Sequence, residues 1–399
     1  MSNNLTIVNA LIYNGIQDEP FHGSIRIVDG VIREVGDFKS QLSQNLDARG
    51  AVVTPGFIDC HFHAYGIGLD VLKVESMPLS YLALEGSRRL RSALSRGFTT
   101  VRDPAGGDAG LDLAIRHNLF DSPRYFYTGA ALSQTGGHGD ARLADFDLCS
   151  HHSHLCEVVD GVENLRVAVR ERLRKGAHAI KLMTSGGVVS PTDPIAIPQY
   201  SAEEVRVVCE EATRRGTYVS AHAYSPAAIH HSIDNGVRTI EHGNLLDQDA
   251  AKKIAQKNAY LVPTLVAYHA MAEMGKDLGM SSISISKNEE VLASGFNSIQ
   301  IAKENKVNIG FGSDLMGSLE SEQLRGIELQ LEAQTVSELL KSITAINADI
   351  IMRKDLGRIE PGNVADLLIL DGNPWNDVSS LWRITQHRKI IKSGEILKL

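Results

Sequence analysis

The sequence predicts an α/β protein in which a (β/α)8 barrel is accompanied by a smaller domain of β-strands. Between residues 56 and 354, short apolar runs alternate with amphipathic helical patterns, which is typical of βα units and a parallel sheet. Eight such runs suit a barrel, whose usual length is ~250 residues. Residues 1–55 and 355–399 instead carry short apolar runs beside turn signals, so we expect both chain ends to build one small β domain.

The individual elements follow from local signals along the chain. Asp29-Gly30 lies between two apolar runs, which predicts a β-hairpin near the start of the sequence. Barrel strands are predicted at residues 57–63, 99–102, 125–130, 178–183, 218–222, 239–242, 260–264 and 308–314. Capping residues predict helix starts at Asp160, Ser201, Ser225 and Thr335.

Composition excludes several classes of function. The chain has 399 residues, 43% of them hydrophobic and 22% charged, with 40 basic against 48 acidic side chains and a net charge of -8. Such a chain offers no general attraction for nucleic acid or an anionic membrane. No run reaches membrane-spanning length, no signal-peptide pattern opens the sequence, and four scattered cysteines make no disulfide framework. We expect a cytoplasmic homo-oligomer that acts on a small molecule.

Reactive side chains end several of the predicted strands. Catalytic groups of such barrels lie at the C-terminal ends of the strands. Reading those positions alone gives His61 and His63 on strand 1, Lys181 on strand 4, His222 on strand 5, His242 on strand 6 and Asp314 on strand 8. Imidazoles and a carboxylate are ligands for a divalent metal, and a buried lysine is costly unless it is paired or chemically altered. These residues therefore predict a metal site at one rim of the barrel.

The same residues lie in motifs that resemble those of the amidohydrolase superfamily. The motifs are Pro-Gly-Phe-Ile-Asp59-Cys-His61-Phe-His63, Ile180-Lys181, Ala221-His222, Glu241-His242-Gly243, Gly312-Ser313-Asp314 and the closing segment at 357–370. They occur in order and cover nearly the whole chain. The resemblance implies a TIM-like (β/α)8 barrel over residues 56–354 and a β-sandwich made from residues 1–55 and 355–399.

The resemblance also implies the chemistry of the site. It predicts two divalent cations, usually zinc, with His61, His63 and Asp314 on one and His222 and His242 on the other. Lys181 bridges them as a carbamate, because addition of CO2 turns a cationic amine into an anionic oxygen donor. A hydroxide shared by the two metals then attacks an amide carbon, and Asp314 moves the proton to the leaving nitrogen.

Two loops indicate a particular branch of the superfamily. The segments 133–140 and 221–226 look like those of prolidase-like, Xaa-carboxypeptidase-like and ochratoxinase-like members. The resemblance implies cleavage of an amide, in a dipeptide or an N-acyl amino acid with a free carboxylate. By the same analogy, His138 donates to the substrate carbonyl oxygen and Tyr224 to the substrate carboxylate. The proline-rich loop at 185–198 is expected to cover the substrate, and the segment 149–156 is expected to be a lid or rim loop.

Several alternatives stay open at this point. One is a mononuclear enzyme of the imidazolonepropionase-like or deaminase-like kind, although these lack the bridging lysine. Another is a lactone or ester hydrolase, since the same hydroxide attacks those bonds. A non-enzymatic barrel that serves as an interaction protein is disfavoured, because such chains lose ligands. Metal stoichiometry separates a binuclear enzyme from a mononuclear enzyme and from a metal-free protein.

Overall fold

The structure is a computed structural model that describes residues 4–38, 44–142, 154–190 and 192–398. Its strands are β1 (Leu5–Ile12), β2 (Phe21–Val28), β3 (Val31–Gly36), β4 (Asn45–Asp47), β5 (Val52–Pro55), β6 (Phe57–Asp59), β7 (Phe98–Asp103), β8 (Arg124–Tyr127), β9 (Ala131–Ser133), β10 (Cys156–Val158), β11 (Ile180–Met183), β12 (Val219–Ala223), β13 (Thr239–His242), β14 (Tyr260–Val262), β15 (Asn308–Ile309), β16 (Leu367–Ile369), β17 (Lys389–Lys392) and β18 (Glu395–Ile396).

Helices connect the parallel strands and complete the chain. They are α1 (Val71–Glu75), α2 (Leu79–Ser95), α3 (Ala109–Arg116), α4 (Val162–Arg174), α5 (Ala202–Arg214), α6 (Pro226–Asp234), α7 (Gln248–Gln256), α8 (Leu265–Met274), α9 (Ser282–Glu304), α10 (Gln323–Leu331), α11 (Val336–Lys341) and α12 (Asn347–Ile350). A π-helical turn at Ser342–Ile346 joins the last two, and 3-10 turns lie at Gly317–Glu322 and Val378–Leu381. Across the described ranges, no helix combines the length and the apolarity that crossing a membrane requires.

Both ends of the chain build one sheet, as the sequence predicts. Its order is β18-β17-β16-β5-β1-β2-β3, with β4 paired to β1. The strand β16 from the C-terminal end lies between β5 and β17 and pairs antiparallel with both. The hairpin between β2 and β3 is also confirmed, because Asp29 and Gly30 have φ angles of +52° and +74°, which a two-residue type I′ turn requires.

The remaining strands are parallel and form the frame of the candidate site. One sheet has the order β10-β9-β11-β12-β13-β14-β15 and a second has the order β6-β7-β8. Backbone hydrogen bonds link the two sheets on both sides, from Cys60 N to Phe311 O (2.9 Å) and from His178 N to Tyr127 O (2.8 Å). The result is an α/β fold with parallel strands, consistent with the TIM-like barrel of the prediction.

Strands 1 and 8 are shorter than predicted. The first ends at Asp59 instead of residue 63, and the last ends at Ile309 instead of residue 314. The buried Asp59 carboxylate explains part of this difference, because it accepts hydrogen bonds from the backbone N–H of His61 (2.9 Å) and of Ser313 (3.1 Å). These backbone groups are satisfied by a side chain instead of a neighbouring strand.

The predicted helix starts are confirmed with one exception. Capping boxes are present at Ser201 and Thr335, and the Ser225 hydroxyl accepts from Ala228 N. The prediction for Asp160 is wrong, because α4 begins one residue later, after Gly161 as N-cap with φ +87°. The Asp160 carboxylate instead binds the backbone N–H and the hydroxyl of Thr135.

Candidate active site

One cavity gathers every residue that the sequence assigned to catalysis, metal or substrate. It lies over the C-terminal ends of the parallel strands and has about 840 Å³ of empty space, its open mouth included. The sequence-predicted residues in its wall are His61, His63, His138, Lys181, His222, Tyr224, His242 and Asp314. Side chains from widely separated parts of the chain therefore meet as predicted.

Asp314 lies at the centre of this group. Its Oδ1 is 3.0 Å from His63 Nε2 and 3.5 Å from His61 Nε2. Ligand atoms of His61, His242 and Asp314 all lie within 4.8 Å of one another, which is close enough for one cation. His242 and Asp314 have φ angles of +73° and +52°, a left-handed conformation that is uncommon outside glycine and that concentrates at functional sites.

Each of the four strand-end imidazoles is oriented by a hydrogen bond on one ring nitrogen. The pairs are His61 Nδ1 with Glu241 Oε2 (2.8 Å), His63 Nδ1 with Ala105 O (3.3 Å), His242 Nδ1 with Thr264 Oγ1 (2.8 Å) and His222 Nε2 with Gly186 O (3.1 Å). The other nitrogen of the His61, His222 and His242 rings then remains for a ligand, whereas Nε2 of His63 lies 3.0 Å from Asp314 Oδ1. Metal-binding histidines are held in this way by a carboxylate or carbonyl, so the donor set fits a metal centre.

The protonation of three of these four rings also fits ligation. Burial lowers the pKa of His61, His222 and His242 well below the usual value, and Lys181 lowers it further for each ring. Neutral imidazole is the form that binds a metal. His63 differs, because burial is outweighed by Asp103 and Asp314, and the pKa of His63 rises to about 9.

Lys181 is buried with 2% of its surface exposed. Burial lowers its pKa to about 8, against the opposing effect of Glu241 and Asp314. Among the described residues, none hydrogen-bonds its amine. The lowered pKa makes the neutral amine more accessible, and the neutral amine is the nucleophile that carbamate formation needs, so this residue fits the bridging role that the resemblance implies.

A buried ion pair beneath the imidazoles was not singled out from the sequence. Glu241 Oε2, which binds His61, also accepts from Arg102 Nη2 (2.5 Å), while Oε1 accepts from Thr239 Oγ1 (2.7 Å). Arg102 is 1% exposed and Glu241 is 0% exposed. The available signal was a charged residue within each of two buried strands, since buried charges are rarely found unpaired.

The two predicted substrate-binding residues line the cavity with defined partners. The His138 ring stacks on that of His222 with centroids 4.2 Å apart. The Tyr224 hydroxyl bonds Tyr268 OH (2.9 Å), which in turn lies 3.2 Å from Thr264 Oγ1. Because Thr264 also bonds His242, a chain of hydroxyls connects a predicted metal ligand to Tyr224.

The described parts of the proline-rich loop, residues 185–190 and 192–198, lie beside the site. Ser185 and Pro198 form an isolated β-bridge at its base, and Val188 and Val189 line the cavity. The expected lid at 149–156 lies largely outside the described residues. Its last two residues are Leu155, which lines the cavity, and Cys156, which also lines it and begins β10.

Comparisons with known proteins agree with this geometry. A model of the amidohydrolase family matches residues 52–397. Ochratoxinase of Aspergillus niger is 30% identical in an alignment of 422 residues, gaps included. The alignment covers 97% of this chain and 86% of that protein.

Solved structures give the same assignment. A prolidase complexed with N-methylphosphonate-L-proline is 40% identical with a TM-score of 0.96 and 99% of each chain covered. A Xaa-Pro dipeptidase with bound methionine is 28% identical with a TM-score of 0.89, covering 99% of this chain and 100% of that one. The chain belongs to the amidohydrolase family and is a hydrolase that acts on carbon–nitrogen bonds.

Proposed function

We propose that this protein is a binuclear metal-dependent amidohydrolase that cleaves the amide of N-acyl amino acids or dipeptides with a free carboxylate. The observation that carries the proposal is that four imidazoles line one cavity with Asp314, each held by a hydrogen bond from one ring nitrogen to the protein. The 40% identity to a prolidase complexed with N-methylphosphonate-L-proline supports the substrate class. The proposed frame is a (β/α)8 barrel over residues 56–354 with a β-sandwich from residues 1–55 and 355–399.

Six side chains would hold the cations. His61, His63 and Asp314 would bind one, His222 and His242 the other, and Lys181 would bridge them. The amine of Lys181 adds to the carbon of CO2 and loses one proton, which gives an anionic carbamate with two donor oxygens. When bound, two divalent cations supply an acidified water and Lewis acidity toward a carbonyl.

The protein's own residues orient the substrate and move its proton. Burial would raise the pKa of Asp314, but the His61 and His63 rings outweigh burial and lower it. The resulting carboxylate accepts the proton of the attacking water and delivers it to the leaving nitrogen, acting first as base and then as acid. His138 donates to the carbonyl oxygen, where negative charge develops.

Tyr224 is the proposed donor to the substrate carboxylate. Burial raises the pKa of Tyr224 and that of Tyr268, so both hydroxyls keep their protons. If His242 ligates through Nε2, its Nδ1–H donates a hydrogen bond to the Thr264 hydroxyl. The Thr264 hydroxyl then donates to Tyr268, and the Tyr268 hydroxyl donates to Tyr224. The hydrogen of Tyr224 is left for the substrate.

The rest of the cavity wall favours an apolar group on the substrate. Its apolar side chains other than aromatic rings are Leu69, Val71, Ala105, Leu155, Met183, Val188, Val189, Met271, Met316 and Leu319, with Cys156 beside them. Among the described lining residues, Asp314 is the only carboxylic acid and Lys181 the only lysine or arginine, and the proposal assigns both to the cations. An extra charge on the acyl half would therefore be desolvated without a partner, which is costly.

A substrate panel with matched pairs tests the proposal. The panel holds N-acyl amino acids with aliphatic acyl chains of increasing length, their N-succinyl counterparts, dipeptides, and the corresponding C-terminal carboxamides. We expect kcat/KM to rise by at most about fourfold per methylene, since a buried methylene contributes about 0.8 kcal/mol, and to fall for succinyl and carboxamide compounds. Turnover of lactones or esters without turnover of any carboxylate-bearing amide by the zinc-loaded enzyme would contradict it.

A further inference from the structure

Lys287 lies on α9, outside the cavity wall, and its ammonium contacts the 185–198 loop. Its Nζ donates to the carbonyl oxygens of Gly187 (3.1 Å), Ser190 (2.7 Å) and Asp193 (2.6 Å). An ammonium has three hydrogens, so this loop uses all of them. The Lys287 side chain is only 14% exposed. Its charge is therefore compensated mainly by these three carbonyls, and a change in the shape of the loop would leave a buried ammonium without hydrogen-bond partners.

The same loop is closed on itself and on the backbone of His138. Asp193 Oδ2 accepts from Gly187 N (2.9 Å) and from Gln199 Nε2 (3.3 Å). The amide oxygen of Gln199 accepts from the backbone N–H of His138 (3.0 Å). The loop that Lys287 holds is therefore connected to the residue proposed to bind the substrate oxygen.

The loop also contacts both stacked imidazoles directly. Gly186 O binds His222 Nε2 (3.1 Å), and Ser190 Oγ binds His138 Nδ1 (2.7 Å). The α-carbon of Gly187 lies so close to the His138 ring that a Cβ there would be 2.1 Å from a ring atom. Small shifts of this loop must therefore move the His138 ring.

Lys287 also affects which nitrogen of His138 carries the hydrogen. For Nε2–H to donate to a substrate, Nδ1 must accept the hydroxyl hydrogen of Ser190. Gly187 O lies 3.4 Å from Ser190 Oγ and competes for that hydrogen. Because Lys287 donates a hydrogen bond to Gly187 O, the Ser190 hydroxyl can donate its hydrogen to Nδ1 of His138.

We propose that Lys287 is a positioning residue of the active site. By holding the carbonyls of Gly187, Ser190 and Asp193, it fixes the place of the His138 ring and keeps Nε2–H directed at the substrate oxygen. The inference rests on the proposed function, because the donation by His138 is part of that function. The anchoring of the loop by Lys287 can be measured separately from any activity.

The kinetic test is a double-mutant cycle of Lys287→Met and His138→Asn. We expect Lys287→Met to lower kcat by about tenfold or more with a smaller change in KM, since a misplaced donor loses transition-state stabilisation. In the His138→Asn background the same substitution should cost less than twofold, because the residue it positions is gone. Zinc content should be unchanged, and Lys287→Arg should recover part of kcat.

The matched control is Lys303→Met, on the same helix. Lys303 Nζ donates to Ala333 O (3.0 Å) and pairs with Glu338, away from the loop. We expect kcat of this variant to equal that of the wild type. An equal loss of kcat from Lys287→Met with and without His138, or no loss in either, would overturn the inference.

Limited proteolysis tests the anchoring without a substrate. Lys287→Met should be cleaved within residues 186–194 under conditions in which the wild type and Lys303→Met stay intact. Equal protection of the loop in all three proteins would contradict the inference even if the substrate panel succeeds. If the panel fails but the loop of Lys287→Met alone is cleaved, the proposed function fails while the anchoring holds.

Discussion

The carboxylate of Glu241 accepts a 2.8 Å hydrogen bond from Nδ1 of His61. The same oxygen accepts from Arg102 at 2.5 Å, so an ion pair without solvent contact fixes the ring of a proposed metal ligand. A carboxylate in this place selects the tautomer that leaves Nε2 for the metal and raises the basicity of the ring. Glu241 would therefore act on a bound metal through His61.

We predict that Glu241→Gln weakens zinc binding by about 10- to 100-fold, which is typical for loss of such a carboxylate. The amide cannot neutralise Arg102 and accepts from His61 less strongly. Competition with a chromophoric chelator measures the affinity. The matched control is Glu211→Gln, because Glu211 is also a buried carboxylate bound by arginines but lies outside the cavity. Wild-type affinity in Glu241→Gln would rule out this role.

The hydroxyl chain between His242 and Tyr224 gives a second prediction. Tyr268→Phe removes the donor to Tyr224 and should raise KM for carboxylate-bearing substrates by about fivefold, for a hydrogen bond of about 1 kcal/mol. Zinc affinity should not change, whereas Thr264→Val should lower zinc affinity as well, because it also removes the acceptor of His242 Nδ1. Steady-state kinetics and chelator competition measure the two effects.

Tyr127→Phe is the control for the tyrosine substitution. Tyr127 is buried, and its hydroxyl donates to Lys175 O (2.8 Å), outside the cavity. Its loss should leave KM unchanged. An equal rise in KM of Tyr268→Phe for acids and for their carboxamides would show that Tyr224 does not recognise the carboxylate.

Acid stability provides a test away from the active site. Hydrogen bonds from Arg170 and Arg166, opposed by burial, lower the pKa of Glu211 from 4.5 to about 2. A carboxylate whose pKa is depressed on folding stabilises the protein above pH ~4.5, and this stability is lost as pH falls toward 2. Glu211→Gln should therefore have a lower Tm at pH 7, and the difference from the wild type should shrink below pH 4.5. A constant Tm difference from pH 7 to acid conditions would contradict the assignment.

The sequence predicts the parallel strands and the residues that meet in the cavity because each depends on local patterns. Alternation of strand and helix signals predicted most of the parallel strands but missed β9 and β10, and the strand-end positions predicted His222 and His242, which both line the cavity. The exact ends of strands 1 and 8 were missed because the buried Asp59 carboxylate binds the backbone N–H groups of His61 and Ser313. The hydrogen bond between Asp59 and Ser313 joins residues that are 254 positions apart in the sequence, so no local pattern predicts it.

Positioning groups were missed for the same physical reason. Arg102 and Glu241 are 139 residues apart, and Lys287 is 94 to 100 residues from the carbonyls it binds. A lysine within an amphipathic helix looks like a solvated residue until the loop that packs over it is known. The positioning role of each of these residues depends on a partner that is distant in the sequence, and the residue type alone does not indicate it.

The central claim is that Lys181 bridges two cations as a carbamate. The most direct test is the zinc-to-chain ratio of Lys181→Ala beside the wild type, measured by elemental analysis after reconstitution with zinc and bicarbonate. We predict about two zinc ions per wild-type chain and at most about one in Lys181→Ala, with activity partly restored by added short carboxylates. Two zinc ions per chain and full activity in Lys181→Ala would contradict the account.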